Sequence, residues 1–559
     1  MKKTNKQINN LLRDPKIVMD PKRLGAMHQS RLSFARRLIR RFFNNEWEIS
    51  IEKWDLSPEG YGCAIYRLNT KNGFYNLVLF SNKIKDNERD DRVIAEKWDV
   101  TFALVKGKIS TQLFQDLYNN VPKQEYGRNS NKILVLARAN KSVRVFDHIL
   151  KSLKEGKQPN LKTLAEVGYI LRTTAVYGNG KFGICDFNLL ENNSDFNLAF
   201  EAQMCAVYIL RQFSIDWIHF IAKQQAESTA TVLDKKIQRY IGIGNATGLG
   251  MAPFLINHPC VIDQWISERE KVLSLIFDLD ISYNKRNKVL SFVKRAQQYL
   301  KEIVTIDEQQ NLLNIQAVKD INIIIISLEN ISINNTKWDK IIKNNETLSF
   351  EAQEIFISCL LEAYPEYTDP HSLNMTLVSE DLALSPCMTI KEMKELLQNK
   401  YDWAISINFS KPENNYWFWY SSENKEEPRL GIRGSELGDD KELPLDIARQ
   451  VSDFYKIIIT QASENKLLQF IIDNPQYGPI TRRICTMDSK LMGDIQINIL
   501  AKDMLPIDLL RCKLSFLGAT KFDPRSDRWV RVTFFQGAPL LSEANNDDWL
   551  FPLCPTINS

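Results

Sequence analysis

The sequence predicts a mixed α and β (α+β), multi-domain protein with a helical central region flanked by β-containing N- and C-terminal parts. Three observations predict it. Strand-like apolar runs bounded by turn residues fill the stretch from about 47 to 105 and return after 403. Apolar residues recur at helical spacing from about 140 to 300. The chain has 559 residues, 44% hydrophobic and 25% charged, which is near globular averages but too long for one ordinary core. The expected organisation is a basic helical lead (1–45), an α+β segment with a β-hairpin (46–139), a helical domain with Gly-rich loops (140–310), a mostly helical connector (311–400) and a C-terminal α+β domain (401–559).

Each element rests on a local pattern. In the lead, Arg31, Arg36, Arg37, Arg40 and Arg41 interleave with Leu32, Phe34, Leu38, Ile39, Phe42 and Phe43, the spacing of an amphipathic helix. That helix either docks on its own protein or meets an anionic lipid or RNA surface. Ala64–Leu68 and Phe74–Phe80, joined across Asn69–Gly73, read as a hairpin with a glycine in its loop. Val100–Val105 either pairs beside it or closes a helix that begins near Asp91. Helical stripes follow at Val143, Phe146, Ile149, Leu150 and Leu153, then over Leu164–Thr174, Phe200–Gln224 and Val261–Phe277, with Pro259 suited to a first turn. Residues 301–395 read as helices and linkers. Further on, Ala404–Asn408 and Tyr416–Tyr420 resemble a second hairpin, followed by the polar segment Ser421–Glu442. A helix is expected over Leu445–Asn465 and a strand over Trp529–Phe535. No internal repeat stands out.

Bulk chemistry narrows the class. Seventy-two basic residues face 68 acidic ones, and a net charge of +4 disfavours nucleic acid as a partner. Nine cysteines, none in a CxxC pair, fit reduced thiols in the cytoplasm better than a disulfide framework. Met1–Lys6 is basic, but no apolar core follows it, so no signal peptide is expected. No stretch approaches the ~20 apolar residues of a membrane span; the richest run, Ile321–Leu328, has strand length. The five histidines, His28, His148, His219, His258 and His371, show no zinc spacing, so no metal is expected. No motif names a cofactor or an oligomeric state.

The most informative stretch is Tyr240–Phe254, where Gly242, Gly244, Gly248 and Gly250 frame Asn245 and Thr247. Glycine is costly in backbone entropy, so such clustering implies tight packing or close approach to a ligand. A glycine loop ahead of a helix start presents N–H groups and a helix dipole to a phosphate or carboxylate. The spacing matches neither the dinucleotide fingerprint nor the P-loop. A second loop, Arg172–Gly183, places Tyr177 and Lys181 among Gly178, Gly180 and Gly183. Arg429 and Arg433 flank a turn at Gly431 and could fork onto an anion. The segment Gly518–Trp529 mixes Lys521, Arg525 and Arg528 with Asp523 and Asp527, which suits anion recognition or a solvated turn.

These residues define the expected site. Gly242, Gly244, Asn245, Thr247, Gly248, Gly250, Arg429 and Arg433 would bind substrate, while His258, Lys181 and Tyr177 would move protons. The functional expectation is a soluble cytoplasmic enzyme acting on a small carboxylate- or phosphate-bearing molecule. The alternative is a non-catalytic scaffold or regulatory protein. It would meet its partner through the basic N-terminal helix and the aromatic strand Tyr416–Tyr420, and would require an exposed apolar patch around Phe34–Phe43.

Overall fold

The computed structural model describes residues 12–543 and Trp549. Within that span 45–46, 85–97, 124–131, 176–194, 197–198, 249–258, 304, 306, 334–335, 375–386, 412–416, 423–424, 431–438, 445–446, 496–505 and 525–528 are left out. The fold is mixed α and β. Twelve strands run through the described residues: β1 (Glu48–Leu56), β2 (Gly62–Thr70), β3 (Gly73–Ser81), β4 (Val100–Lys106), β5 (Ile133–Lys141), β6 (Tyr169–Thr173), β7 (Gly242–Gly248), β8 (Trp417–Ser422), β9 (Lys425–Leu430), β10 (Asp439–Pro444), β11 (Ala519–Pro524) and β12 (Trp529–Phe534). Contacts divide the chain into two compact units.

One unit comprises residues 33–247, 290–322 and 517–559. Its nine-stranded sheet has the order β1-β2-β3-β4-β5-β6-β7-β12-β11. The first five strands form an antiparallel meander; the hairpin signal at 64–80 predicts β2 and β3, and of the two readings of Val100–Val105 the strand is the one observed. Alternation in β2–β5 places Cys63, Ile65, Val78, Phe80, Ala103, Val105 and Ile133 in one apolar cluster with Leu117 and Val121. The long helix Ala199–Gln225 packs Phe213 against Trp54 and Tyr66, and Trp217 against Phe146. Tyr66 Oη donates to Asp216 at 2.6 Å across that contact.

Arg211 on the same helix is 2% exposed and gathers five backbone carbonyls, from Gln238, Arg239, Ile241, Ala538 and Pro539. These carbonyls precede β7 and follow β12. One guanidinium therefore fixes both chain segments at that end of the sheet.

The basic helix spans Phe34–Asn44 and is docked on its own unit. Phe34, Leu38, Ile39 and Phe42 are 1–3% exposed. Arg41 forks onto Glu201 at 2.9 and 3.0 Å, and Arg36 lies over the Trp549 ring. The apolar patch that a scaffold role requires here is covered.

Three local expectations are corrected. The helical reading of Leu164–Thr174 stops at Val167: Gly168 adopts φ 78° and caps the helix Leu161–Val167, and Tyr169–Thr173 continues as β6. The glycine's left-handed geometry outweighs the coincidental 3.6 spacing beyond it. Ala404–Asn408 is no strand, because Asp402–Ile405 forms a short helix; β8 instead pairs with β9 and β10, which lie within the segment read as a polar loop. The run Ile321–Leu328 belongs to the helix Glu308–Asn330. Ala317, Ile321, Ile324, Ile325 and Leu328 are buried at helical spacing, a period that an isolated isoleucine run conceals. Among the described residues this is the one helix long and apolar enough to cross a membrane by length and composition, with a mean hydropathy of 1.2 over its most apolar 18 residues. It also carries Glu308, Lys319, Asp320 and Glu329.

The other unit comprises residues 1–32, 248–289 and 323–516 and is mainly helical. Pro259 opens the helix Pro259–Phe277, as its fixed φ suggests. The small sheet β10-β8-β9 also belongs to this unit.

Candidate functional site

The glycine-rich segment is a strand over its described part, not a loop. β7 pairs in parallel with β6, with Thr173 opposite Asn245, and lies between β6 and β12 in the sheet. A Cβ on Gly242 would fall 2.4 Å from the Phe534 carbonyl oxygen and 2.6 Å from Thr533 Cγ2. On Gly244 it would fall 2.5 Å from the Tyr169 ring. Close approach is thus the reason for both glycines, and protein fills the space. Asn245 is fully buried, and its Nδ2 donates to the Thr173 carbonyl at 3.0 Å. Its Oδ1 is buried without a donor among the described residues. A measurable consequence is that Gly242→Ala and Gly244→Ala each lower stability by about 1–3 kcal/mol through overpacking. Urea denaturation checks it, and an unchanged midpoint contradicts the close contact.

The other expected site residues are distributed as follows. Thr247 and Gly248 lie at the end of β7, and Arg429 lies on β9. Gly250, His258, Arg433, Tyr177 and Lys181 fall outside the described residues.

The stretch Gly518–Trp529 departs from the solvated-turn reading where it is described. Ala519–Pro524 is β11, paired antiparallel with β12 so that Lys521 faces Thr533 and Asp523 faces Arg531. Opposed residues of an antiparallel pair share a face, so these four polar side chains line one side of the hairpin. All are buried: Lys521 is 4%, Asp523 0%, Arg531 7% and Thr533 0% exposed. Lys521 Nζ donates to the carbonyls of Ala165 and Glu166, at 2.8 and 3.1 Å. Those carbonyls end the helix Leu161–Val167, where a cation meets the negative end of the helix dipole.

Arg531 is arranged differently. Its Nε and Nη1 are buried and meet no hydrogen-bond acceptor among the described residues. Thr533 Oγ1 is likewise buried without a partner there. Buried guanidinium groups are normally paired, because desolvation of an uncompensated charge costs several kcal/mol. This strand was read from sequence without a part in the site. The signal it offered was faint: Lys521 and Asp523 alternate in β11 and Arg531 and Thr533 alternate in β12, so hairpin pairing would stack four polar residues on one face.

The helical unit contains a second concentration of buried charge, and here the opposite charges are in ion pairs. Glu354 is 0% exposed; its Oε1 accepts from Arg13 Nη1 and Arg23 Nη1, both at 2.9 Å, and its Oε2 lies 2.8 Å from Arg269 Nη2 in an ion pair without hydrogen-bond geometry. Arg13 also forks onto Glu270 at 2.7 and 2.8 Å. Burial raises the Glu354 carboxyl, but Arg13, Arg269 and Arg23 outweigh it and hold the group well below the usual carboxylate range. Nearby, burial pushes His28 down to about 3, with Arg511 and Arg269 adding to the effect and Glu354 opposing it. Lys513 on the helix Pro506–Leu517 is 1% exposed, and burial pushes its ammonium down to about 7.

The His28 shift has a definite sign. A folded pKa depressed from 6.5 means the unfolded chain binds the proton first on acidification. His28's stabilising contribution is complete above about 6.5 and is lost as pH falls toward about 3. Urea midpoints should therefore decline between pH 7.5 and pH 5, before ordinary carboxylates titrate. His28→Gln should flatten that part of the profile.

Among the described residues, no group of three or more His, Cys, Asp or Glu is placed to hold a metal ion. Comparison of the chain with protein-family models, curated proteins and solved structures finds no match.

Proposed function

We propose that this chain is a cytoplasmic enzyme of small-molecule metabolism whose anionic substrate is held on the β11–β12 face, with Arg531 as its anchor. The observation that carries the reading is a buried guanidinium whose Nε and Nη1 meet no acceptor among the described residues. A carboxylate or phosphate supplies the missing acceptors in the fork geometry that guanidinium prefers. Gly242 contributes indirectly, because its missing Cβ gives Thr533 room beside β7. The glycines thus support the site by admitting a neighbouring strand, whereas the sequence reading had them contacting the ligand. Tyr177, Lys181 and His258 remain the proton-moving groups proposed from the sequence, and Arg429 and Arg433 remain proposed substrate contacts.

The test is a thermal-shift titration of the full chain with inorganic phosphate, sulfate and acetate, repeated on Arg531→Met. Anion-dependent stabilisation of the natural chain that disappears in the variant supports the reading. Equal shifts in both proteins, or none in the natural chain, would sink it.

A further inference from the structure

We infer that two copies of this chain pair through the outer face of the helix Glu308–Asn330, antiparallel, about a two-fold axis that passes between the levels of Leu312 and Ile315. The inference is independent of the anion anchor.

The first half of the helix has two unlike faces. Gln310, Asn314, Ala317 and Ile321 turn inward and are at most 9% exposed. On the opposite side Leu312 and Ile315 are 60% and 46% exposed, flanked by Glu308 and Lys319 in solvent. At 3.6 residues per turn these four side chains fall within about 60° of one another on the helical wheel. They form one row, Glu-Leu-Ile-Lys, whose steps of 4, 3 and 4 residues read the same from either end. Laid antiparallel on a second copy, the row sets Leu312 against Ile315 and Glu308 against Lys319, and the two-fold axis repeats each contact. Among the described residues neither the Glu308 carboxylate nor the Lys319 ammonium has a partner within the chain. A parallel pair would instead oppose Glu308 to Glu308 and Lys319 to Lys319, so charge selects the antiparallel arrangement. A lipid surface fits this row poorly, because one acid and one base leave it without the basic excess that anionic headgroups attract. Two apolar layers make a seam at the small end of specific interfaces, so association in the micromolar range is expected.

Sedimentation velocity of the full chain over a range of concentrations tests this. The natural chain should show a monomer–dimer equilibrium, and Leu312→Glu should remain monomeric with an unchanged melting temperature, since the site is exposed. Glu308→Lys or Lys319→Glu alone should weaken pairing by about tenfold or more. The double variant, which exchanges the two charges, should regain the natural affinity. A zero-length carbodiimide cross-link between Glu308 and Lys319 has to come from two copies, because the residues stand about 16 Å apart along one helix. Mass spectrometry of mixed isotope-labelled chains should recover it. If Leu312→Glu lowers the melting temperature, the charge exchange and the cross-link still decide. A natural chain that stays monomeric, whether or not it binds phosphatidylglycerol vesicles, overturns the inference. So does a dimer indifferent to both single charge reversals.

Discussion

Glu354→Gln is expected to destabilise the helical unit by about 3–5 kcal/mol. In the native arrangement three guanidiniums converge on one buried carboxylate, and a second, Glu270, serves Arg13 and lies 3.5 Å from Arg269. Neutralising Glu354 leaves three cations around a single anion in a region where Glu354 and Arg269 have no exposed surface. The amide retains shape but cannot offset the charge. The cost therefore comes from stranding the arginines and exceeds the worth of any one hydrogen bond. Urea denaturation should show the midpoint of this unit moving far to lower denaturant, and a second variant gives an internal control. Replacing Arg13 together with Glu354 by apolar residues should recover part of the loss, since charge is then removed from both sides of the pair. A Glu354→Gln midpoint within error of the natural chain would show that the network is not formed.

The second large effect has the opposite sign. Arg531→Met is expected to raise the stability of the ligand-free protein, by on the order of 1–3 kcal/mol. Methionine keeps a long flexible stem and discards a charge that is 7% exposed with Nε and Nη1 unmatched. The same change should abolish anion-dependent stabilisation. Gain of stability with loss of binding is the behaviour of a group kept for a ligand at the expense of the fold. A purely structural arginine would lose stability when replaced. Thermal melts with and without inorganic phosphate separate the two cases, and a lower melting temperature for Arg531→Met would refute the ligand role.

The sequence disclosed the elements better than their partners. The hairpin strands at 64–80, the helix ending at Gln225 and the proline-led helix at 259 were legible, because each carries its own period and its own stop signals, whereas 100–105 reads either as a strand or as a helix end. The class of fold follows from them. The glycine segment was recognised as special but placed in a loop. Its context, a helix ending at Tyr240 and polar residues at 245 and 247, gives no strand period, and its pairing with β6 and proximity to β12 depend on residues more than 65 and 280 positions away. Arg531 was missed for a related reason. A lone arginine in Val-Arg-Val-Thr-Phe reads as an ordinary outward-facing strand residue until the register with Asp523 and Lys521 is known. The buried cluster around Glu354 was invisible for the same cause, since its members come from positions 13, 23, 269, 270 and 354.

The order of the strands in the large sheet has a consequence for how this chain reaches its native state. β7 is followed in the sheet by β12 and β11, which are synthesised more than 260 residues later. The meander can assemble on the ribosome from near neighbours, but its growing edge at β7 stays open until the last hairpin emerges. Through that interval the cell holds a sheet with a bare rim, the kind of surface on which chains stick to one another. Chaperone dependence during synthesis, and aggregation of any product that stops short of residue 519, should follow from that waiting time.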